Sequence, residues 1–388
     1  MRIAVFASSY APHVGGVEEV VRRLACEYER AGHQSVVVTN RWPRDLPRRE
    51  RLDGIDVCRP ALRWPVGGAK ATVSFRLTRR RIGREACEIV RGFGADVVQV
   101  HCVSANALYA LECHDRLALP LVVTVHGELT MDEHAVFQRR PFARRLLERA
   151  VTGADYVTAC SANTLADLEV FLACDLAERS RVIRNGADPA EFAGAAAPAD
   201  RDPFILAVGR LVPQKGFDLL LEAYARARPG QRMVIAGEGP ERTRLEAFAA
   251  ALGIGDRIDW LGLAPRATVA GLMRSCDLFV LPSRADEGLP LVLLEAMAAA
   301  CAILTADTGG VLEVVTPGES AAVVPKGDVD AMARELASLT SDGERRARLA
   351  AGATRAAARN SWEAVAEQYL AVFHEVQQRV TARRSVGA

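Results

Sequence analysis

The 388-residue sequence has nine cysteines but no C-x-x-C pair. They fall at positions 26, 58, 87, 102, 113, 160, 174, 276 and 301, odd in number and scattered. That spacing argues against a zinc ribbon and a disulfide framework, and favours reduced thiols in a cytosolic protein. Long apolar runs are also lacking. Residues 1–7 are apolar for only five positions before Ser8 and Ser9, too few for a signal peptide. The stretch 289–306 is interrupted by Glu295 and bordered by Glu287 and Asp307, so it is too short and too charged to span a bilayer. A cytoplasmic protein is expected. Net charge is only +1, which leaves no global pull toward nucleic acid or membrane. G-x-G-x-x-G is absent, and with it a dinucleotide fingerprint. His126, Glu128, Asp132, Glu133 and His134 gather in one stretch, yet H-E-x-x-H is missing and no metal is expected there. No internal repeat occurs.

What is present is the balance of a globular protein, with 50% hydrophobic and 25% charged residues. The length suggests two domains. Short apolar runs alternate with segments of helical period, the pattern of α/β domains with parallel sheets. In the first half, residues 3–7, 35–39, 96–100, 121–125 and 156–159 read as strands, with helices such as 17–31 and 105–117 between them. The rhythm restarts at 204–208 and continues through 233–236, 258–261, 278–281, 302–305 and 321–324. Between the halves, residues 186–202 are small residues with Gly, Pro and Asp and no period, as in a hinge. The first domain is then 1–185, the second 203–361. Residues 329–380 are helical, and Trp362, Val365, Tyr369, Val372, Phe373 and Val376 share one face. Two doubly wound units facing each other are expected to bind a ligand where the carboxyl ends of their strands meet.

Four strand-to-helix junctions carry polar chemistry. Gly15 and Gly16 open the first helix, where free N–H groups favour an anion, although a tight turn explains them equally. Arg210 and Lys215 follow the first strand of the second half and could neutralise a diphosphate, or be solvated loop cations. Glu287 stands just ahead of a helix that starts near Pro290. Glu295 lies inside that helix among Leu291, Val292, Leu294 and Met297. A carboxylate buried there needs a partner, and ligand hydroxyls would serve; the alternative is an internal salt bridge. Gly309 and Gly310 repeat the glycine pair at the next junction. His126 ends a strand of the first half, where a structural role is the plainer reading.

Together these segments resemble the retaining glycosyltransferases of family 4, which have the GT-B fold. The resemblance rests on E-x7-E at Glu287 and Glu295, Gly209-Arg210-Leu211 with Lys215-Gly216, Gly237-Glu238-Gly239-Pro240, Gly309-Gly310 with Glu313, and Asn185-Gly186 with Asp188. It implies a sugar moved from a UDP- or GDP-sugar to an acceptor hydroxyl in an interdomain cleft, with the anomeric configuration kept. Arg210 and Lys215 would hold the donor diphosphate, with Gly15 and Gly16 assisting. Glu287, Gly288, Leu289, Leu291 and Val292 would line the donor, Glu287 holding sugar hydroxyls and Glu295 the ribose. His126 would contact the sugar and help the acceptor approach. No cofactor or metal is implied beyond the nucleotide sugar itself. The helix 362–388 would cross back to the first domain. The chain departs from the family at Arg184 and in Ala299-Ala300-Cys301-Ala302, where Pro is common; neither position carries chemistry. A GT-B epimerase or phosphorylase and a non-catalytic sugar-nucleotide-binding protein remain alternatives, but no pyridoxal lysine site is evident, and the full set of charged residues speaks against a dead copy.

Residues 41–84 match nothing assignable. They hold 13 basic residues, opposed only by Asp45, Glu50, Asp53 and Asp56, with Trp42 and Trp64 among them. Arg139, Arg140, Arg144 and Arg145 could extend the same face. Reversible docking on the inner membrane face with a lipid-linked acceptor is one reading, a solvated rim around a small soluble acceptor the other.

Overall fold

Val36–Val38, Val97–Val98 and Val122–Val123 are β-branched runs buried on both faces, as parallel strands between helices must be. The computed structural model describes the chain apart from residues 67, 131–134, 195–201 and 387–388. It divides into Met1–Arg184 with Trp362–Ala388 as one unit and Asn185–Ser361 as the other.

The first unit contains strands β1 (Arg2–Ala7), β2 (Gln34–Val38), β3 (Arg49–Leu52), β4 (Ile55–Cys58), β5 (Val97–His101), β6 (Leu121–Val125), β7 (Tyr156–Ala159) and β8 (Ser180–Val182). Their order is β3-β4-β2-β1-β5-β6-β7-β8, parallel except for the β3–β4 hairpin. That hairpin lies in the stretch the sequence left unassigned. It turns on Asp53 and Gly54, both at positive φ, as a two-residue hairpin loop requires. The charged Arg49-Glu50-Arg51 hid the alternation. The C-terminal helix Trp362–Val386 belongs to this unit, and the six apolar residues of its expected face are all buried. Phe373 meets Tyr28 of the helix Gly16–Arg30 edge to face.

The second unit contains β9 (Phe204–Val208), β10 (Arg232–Ala236), β11 (Ile258–Gly262), β12 (Leu278–Leu281), β13 (Ile303–Ala306) and β14 (Ala322–Val324), all parallel. The order β11-β10-β9-β12-β13-β14 is the doubly wound 3-2-1-4-5-6 arrangement. Chain direction across the sheet reverses between β9 and β12, so the loops leaving those two strands flank the crevice where such sheets bind ligands. Part of the expected hinge is structured: Pro189–Ala193 is a short helix of this unit, and Glu191 on it pairs with Arg266. All nine cysteines are free. Among the described residues, no helix is long and apolar enough to cross a membrane.

Candidate functional site

The loops after β9 and β12 are locked together by backbone contact. Gly216 has φ +66°, and a Cβ there would lie 2.2 Å from the Pro282 carbonyl oxygen. The Gln214 carbonyl accepts the Arg284 and Ala285 amides at 2.9 and 3.3 Å. Gly310 approaches from the loop after β13; its amide donates to the Glu287 carbonyl at 3.1 Å, and a Cβ would collide with the Gly288 carbonyl. Glycine is therefore required at 216 and 310 by close approach of main chain to main chain.

On this frame Lys215 Nζ reaches Glu287 Oε2 at 2.5 Å, and the Ser283 hydroxyl donates to Glu287 Oε1. Glu287 is 5% exposed. The neighbouring Asp286 accepts Lys326 Nζ at 2.7 Å and the Gly309 amide at 3.1 Å. The Lys326 hydrogen bond holds its carboxyl below the usual range. Only three lysines occur in the chain, and two of them grip adjacent carboxylates of this one loop. Two buried oxygens, Gln214 Oε1 and Thr308 Oγ1, have no hydrogen-bond partner, so the site holds unmet polar capacity. Arg210 is exposed at the mouth of the β9 loop.

Glu295 has a protein partner. Its buried carboxylate is balanced by Arg266, whose guanidinium donates to Oε1 at 2.6 Å and also pairs with Glu191. The internal salt bridge that the sequence left open as an alternative is thus present. Arg266 opens the helix Arg266–Ser275, far from Glu295 in sequence, and no local pattern links the two.

In the first unit, His126 follows β6 and shares a 2.9 Å hydrogen bond with His101 at the end of β5. Burial pushes His126 down to about 4; burial, and secondly the proximity of His126, hold His101 well below its usual value. Glu128 ties the two strand ends together, accepting the His126 amide at 2.7 Å and the Val103 amide at 3.0 Å; burial raises its carboxyl. Gly15 is extended, a conformation open to any residue, and Gly16 begins the helix. A Cβ on Gly15 would lie 2.4 Å from Glu18 Oε2, so the anion at this helix N-terminus is the chain's own carboxylate. Among the described residues no cluster of three or more His, Cys, Asp or Glu is arranged to hold a metal. Asp132, Glu133 and His134 lie outside the described residues.

The family model for glycosyl transferases group 1 matches residues 190–356, and that for glycosyltransferase family 4 matches residues 14–191. A D-inositol 3-phosphate glycosyltransferase of Thermobispora bispora is 30% identical over 408 residues, covering 96% of this chain and 91% of that protein. The chain belongs to glycosyltransferase family 4.

A second relative of this glycosyltransferase is the phosphatidyl-myo-inositol mannosyltransferase of Mycolicibacterium smegmatis, 29% identical over 389 residues and covering 97% of this chain and 94% of that one. Among solved structures, Anabaena HepE in complex with UDP-glucose superposes with a TM-score of 0.75 at 19% identity, covering 97% of this chain and all of that one. The fold is GT-B.

The structure brings Lys215, Glu287 and Gly288 together in the second unit, and it buries Leu289 and Leu291 while leaving Val292 half-buried. It sets His126 and the Gly15–Gly16 junction at strand ends of the first. Sequence reasoning missed Ser283, Asp286, Lys326, Arg266 and His101. Asp286 alone had a visible signal, its place beside Glu287.

The basic stretch also needs correction. Arg59 is fully buried, donating to the Ala11 carbonyl at 2.6 Å and pairing with Glu50, so it is no surface cation. Trp64 packs against the core, whereas Trp42 is exposed.

Proposed function

We propose that this glycosyltransferase takes its sugar from a nucleoside diphosphate sugar, transfers it to an acceptor hydroxyl with retention, and needs no metal. The observation that carries the reading is the Lys215–Glu287 pair, held on the loops that leave β9 and β12 at the crevice of the doubly wound sheet. A diphosphate competes with the carboxylate for Lys215, and Arg210 adds a second cation. Glu287, released from Lys215, then accepts hydroxyls of the bound sugar. The unmet oxygens of Gln214 and Thr308 suit a polar ligand. HepE was solved with UDP-glucose, which supports the same donor class. In the reaction the acceptor oxygen bonds to the anomeric carbon on the face the diphosphate leaves. The carbon–phosphate-oxygen bond breaks, and a phosphate oxygen takes the acceptor proton. Fixed cations stabilise the leaving charge.

Incubation with UDP-, GDP- and ADP-sugars in excess EDTA tests this. Slow nucleoside diphosphate release from one of them is expected. Release from none overturns the donor, and loss on chelation restored by magnesium or manganese overturns the metal-free account.

For the partner surface we propose peripheral docking on an anionic membrane, supported by the helix Ala69–Phe93. Val73 and Leu77 are 56% and 80% exposed, on the face opposite buried Phe75, Ile82 and Ile89. Lys70, Arg76, Arg80, Arg81 and Arg84 surround them, all exposed. Protruding aliphatics within a ring of cations suit the interface of an acidic bilayer, and a lipid-linked acceptor would be presented there.

A further inference from the structure

The parallel pairing of β5 with β6 sets His101 beside His126, their rings stacked with centroids 5.2 Å apart. One proton lies between His101 Nδ1 and His126 Nε2, and the 2.9 Å separation allows either ring to own it. The far nitrogen of His101 decides. His101 is fully buried and its Nε2 has no hydrogen-bond partner. The nearby Tyr369 ring is 6.1 Å away between centroids, and its hydroxyl is engaged by Thr124 and Thr158. If His126 owned the shared proton, a neutral His101 would carry its own proton on Nε2, a buried N–H with nothing to receive it. If His101 owns the shared proton, Nε2 is merely an unused lone pair. Buried orphan N–H groups are rarer than under-used acceptors, so the second arrangement prevails.

We infer that His101 is a positioning residue that fixes His126 as its Nδ1–H tautomer, so that His126 meets its ligand as a hydrogen-bond donor and not as a base. Burial keeps both rings neutral near pH 7, in agreement with this. The consequence for catalysis rests on the proposed sugar contact of His126. The acceptor's proton cannot pass to a ring whose one lone pair is already filled by His101, and it goes instead to the donor phosphate.

The test is long-range proton–nitrogen NMR of the full chain labelled with 15N-histidine, His126 being assigned through His126→Gln. At pH 7, His126 is expected to carry its proton on Nδ1. A His126 protonated on Nε2, or on both nitrogens, overturns the inference whatever the enzyme's substrate. His101→Leu should move the proton of His126 toward Nε2 and lower kcat about tenfold with donor KM little changed, the scale of one misdirected hydrogen bond. His101→Gln, whose amide can donate to His126 Nε2, should restore the tautomer and most of the rate. If both variants lose activity in proportion to their loss of melting temperature, with the His126 tautomer unchanged, His101 is structural and the inference falls. Full activity of His126→Gln would instead overturn the sugar contact while leaving the tautomer result standing.

Discussion

The strand-end loops of the two units solve different problems. In the second unit, the loops after β9, β12 and β13 are fused through glycine contacts, and charged pairs lie on and around them: Lys215 with Glu287, Lys326 with Asp286, and Arg266 with Glu295 between two helices. In the first unit, the strand ends carry a buried histidine pair with Glu128 held by backbone amides, and basic residues cluster on an exposed helix. A rigid cradle with fixed charges suits a diphosphate, whose own charge changes little between ligands. Neutral donors at the other strand ends suit hydroxyl-bearing molecules. The contrast teaches that similar parallel sheets can end in loops of quite different polarity.

The strongest challenge to that contrast is to remove the paired charges. Glu287→Gln and Lys215→Ala are each expected to lower kcat by about 10²–10³-fold, the scale of one lost electrostatic contact at a developing charge, with the circular dichroism spectrum retained. Arg80→Glu with Arg81→Glu in the first unit should leave turnover of a soluble acceptor nearly unchanged. Near-normal turnover in either of the first two variants would remove that residue from the mechanism.

Next in size is Arg266→Ala. It removes the guanidinium that pairs with the buried Glu295 carboxylate and should cost about 2 kcal/mol of stability, read from urea unfolding. Adding Glu295→Gln should recover part of the loss. An unchanged midpoint in the single variant would mean that Glu295 is solvated.

A smaller effect separates the halves by pH. Burial depresses His126 from 6.5 to about 4 in the folded protein, and lowers His101 as well. Below pH 6.5 the unfolded chain binds protons that the folded chain refuses, so stability is at full value above that pH and declines as pH falls toward 4. Urea midpoints across this window should drop in the wild type and less steeply in His126→Gln. Parallel slopes would show that the pair is not buried in solution.

The weakest expected effect concerns the helix Ala69–Phe93. Co-sedimentation with anionic vesicles at low salt should exceed that with neutral vesicles and fade at high salt, each cation contributing about 1 kcal/mol. Leu77→Ser should weaken binding at unchanged net charge, since it removes only the exposed aliphatic side chain. Equal, negligible binding to both vesicle types would leave a solvated rim and a soluble acceptor.

Much of this was legible from local pattern. Apolar runs at 204–208, 258–261 and 278–281 announced parallel strands, and Glu287 with Glu295 marked the helix after β12, because periodicity and motif spacing are properties of neighbouring residues. The face from Trp362 to Val376 was equally readable. The hairpin at Asp53-Gly54 had its turn signal but lacked apolar alternation. Other decisions belonged to the tertiary structure alone. Arg266 finds Glu295, His101 finds His126 and Arg59 finds Glu50 and Ala11 only because crossover connections lay particular strands and helices side by side. The sequence by itself determined which groups were too polar to be buried alone; the order of strands in each sheet decided which partner would neutralise them, since that order is set by packing over distances that no local spacing records.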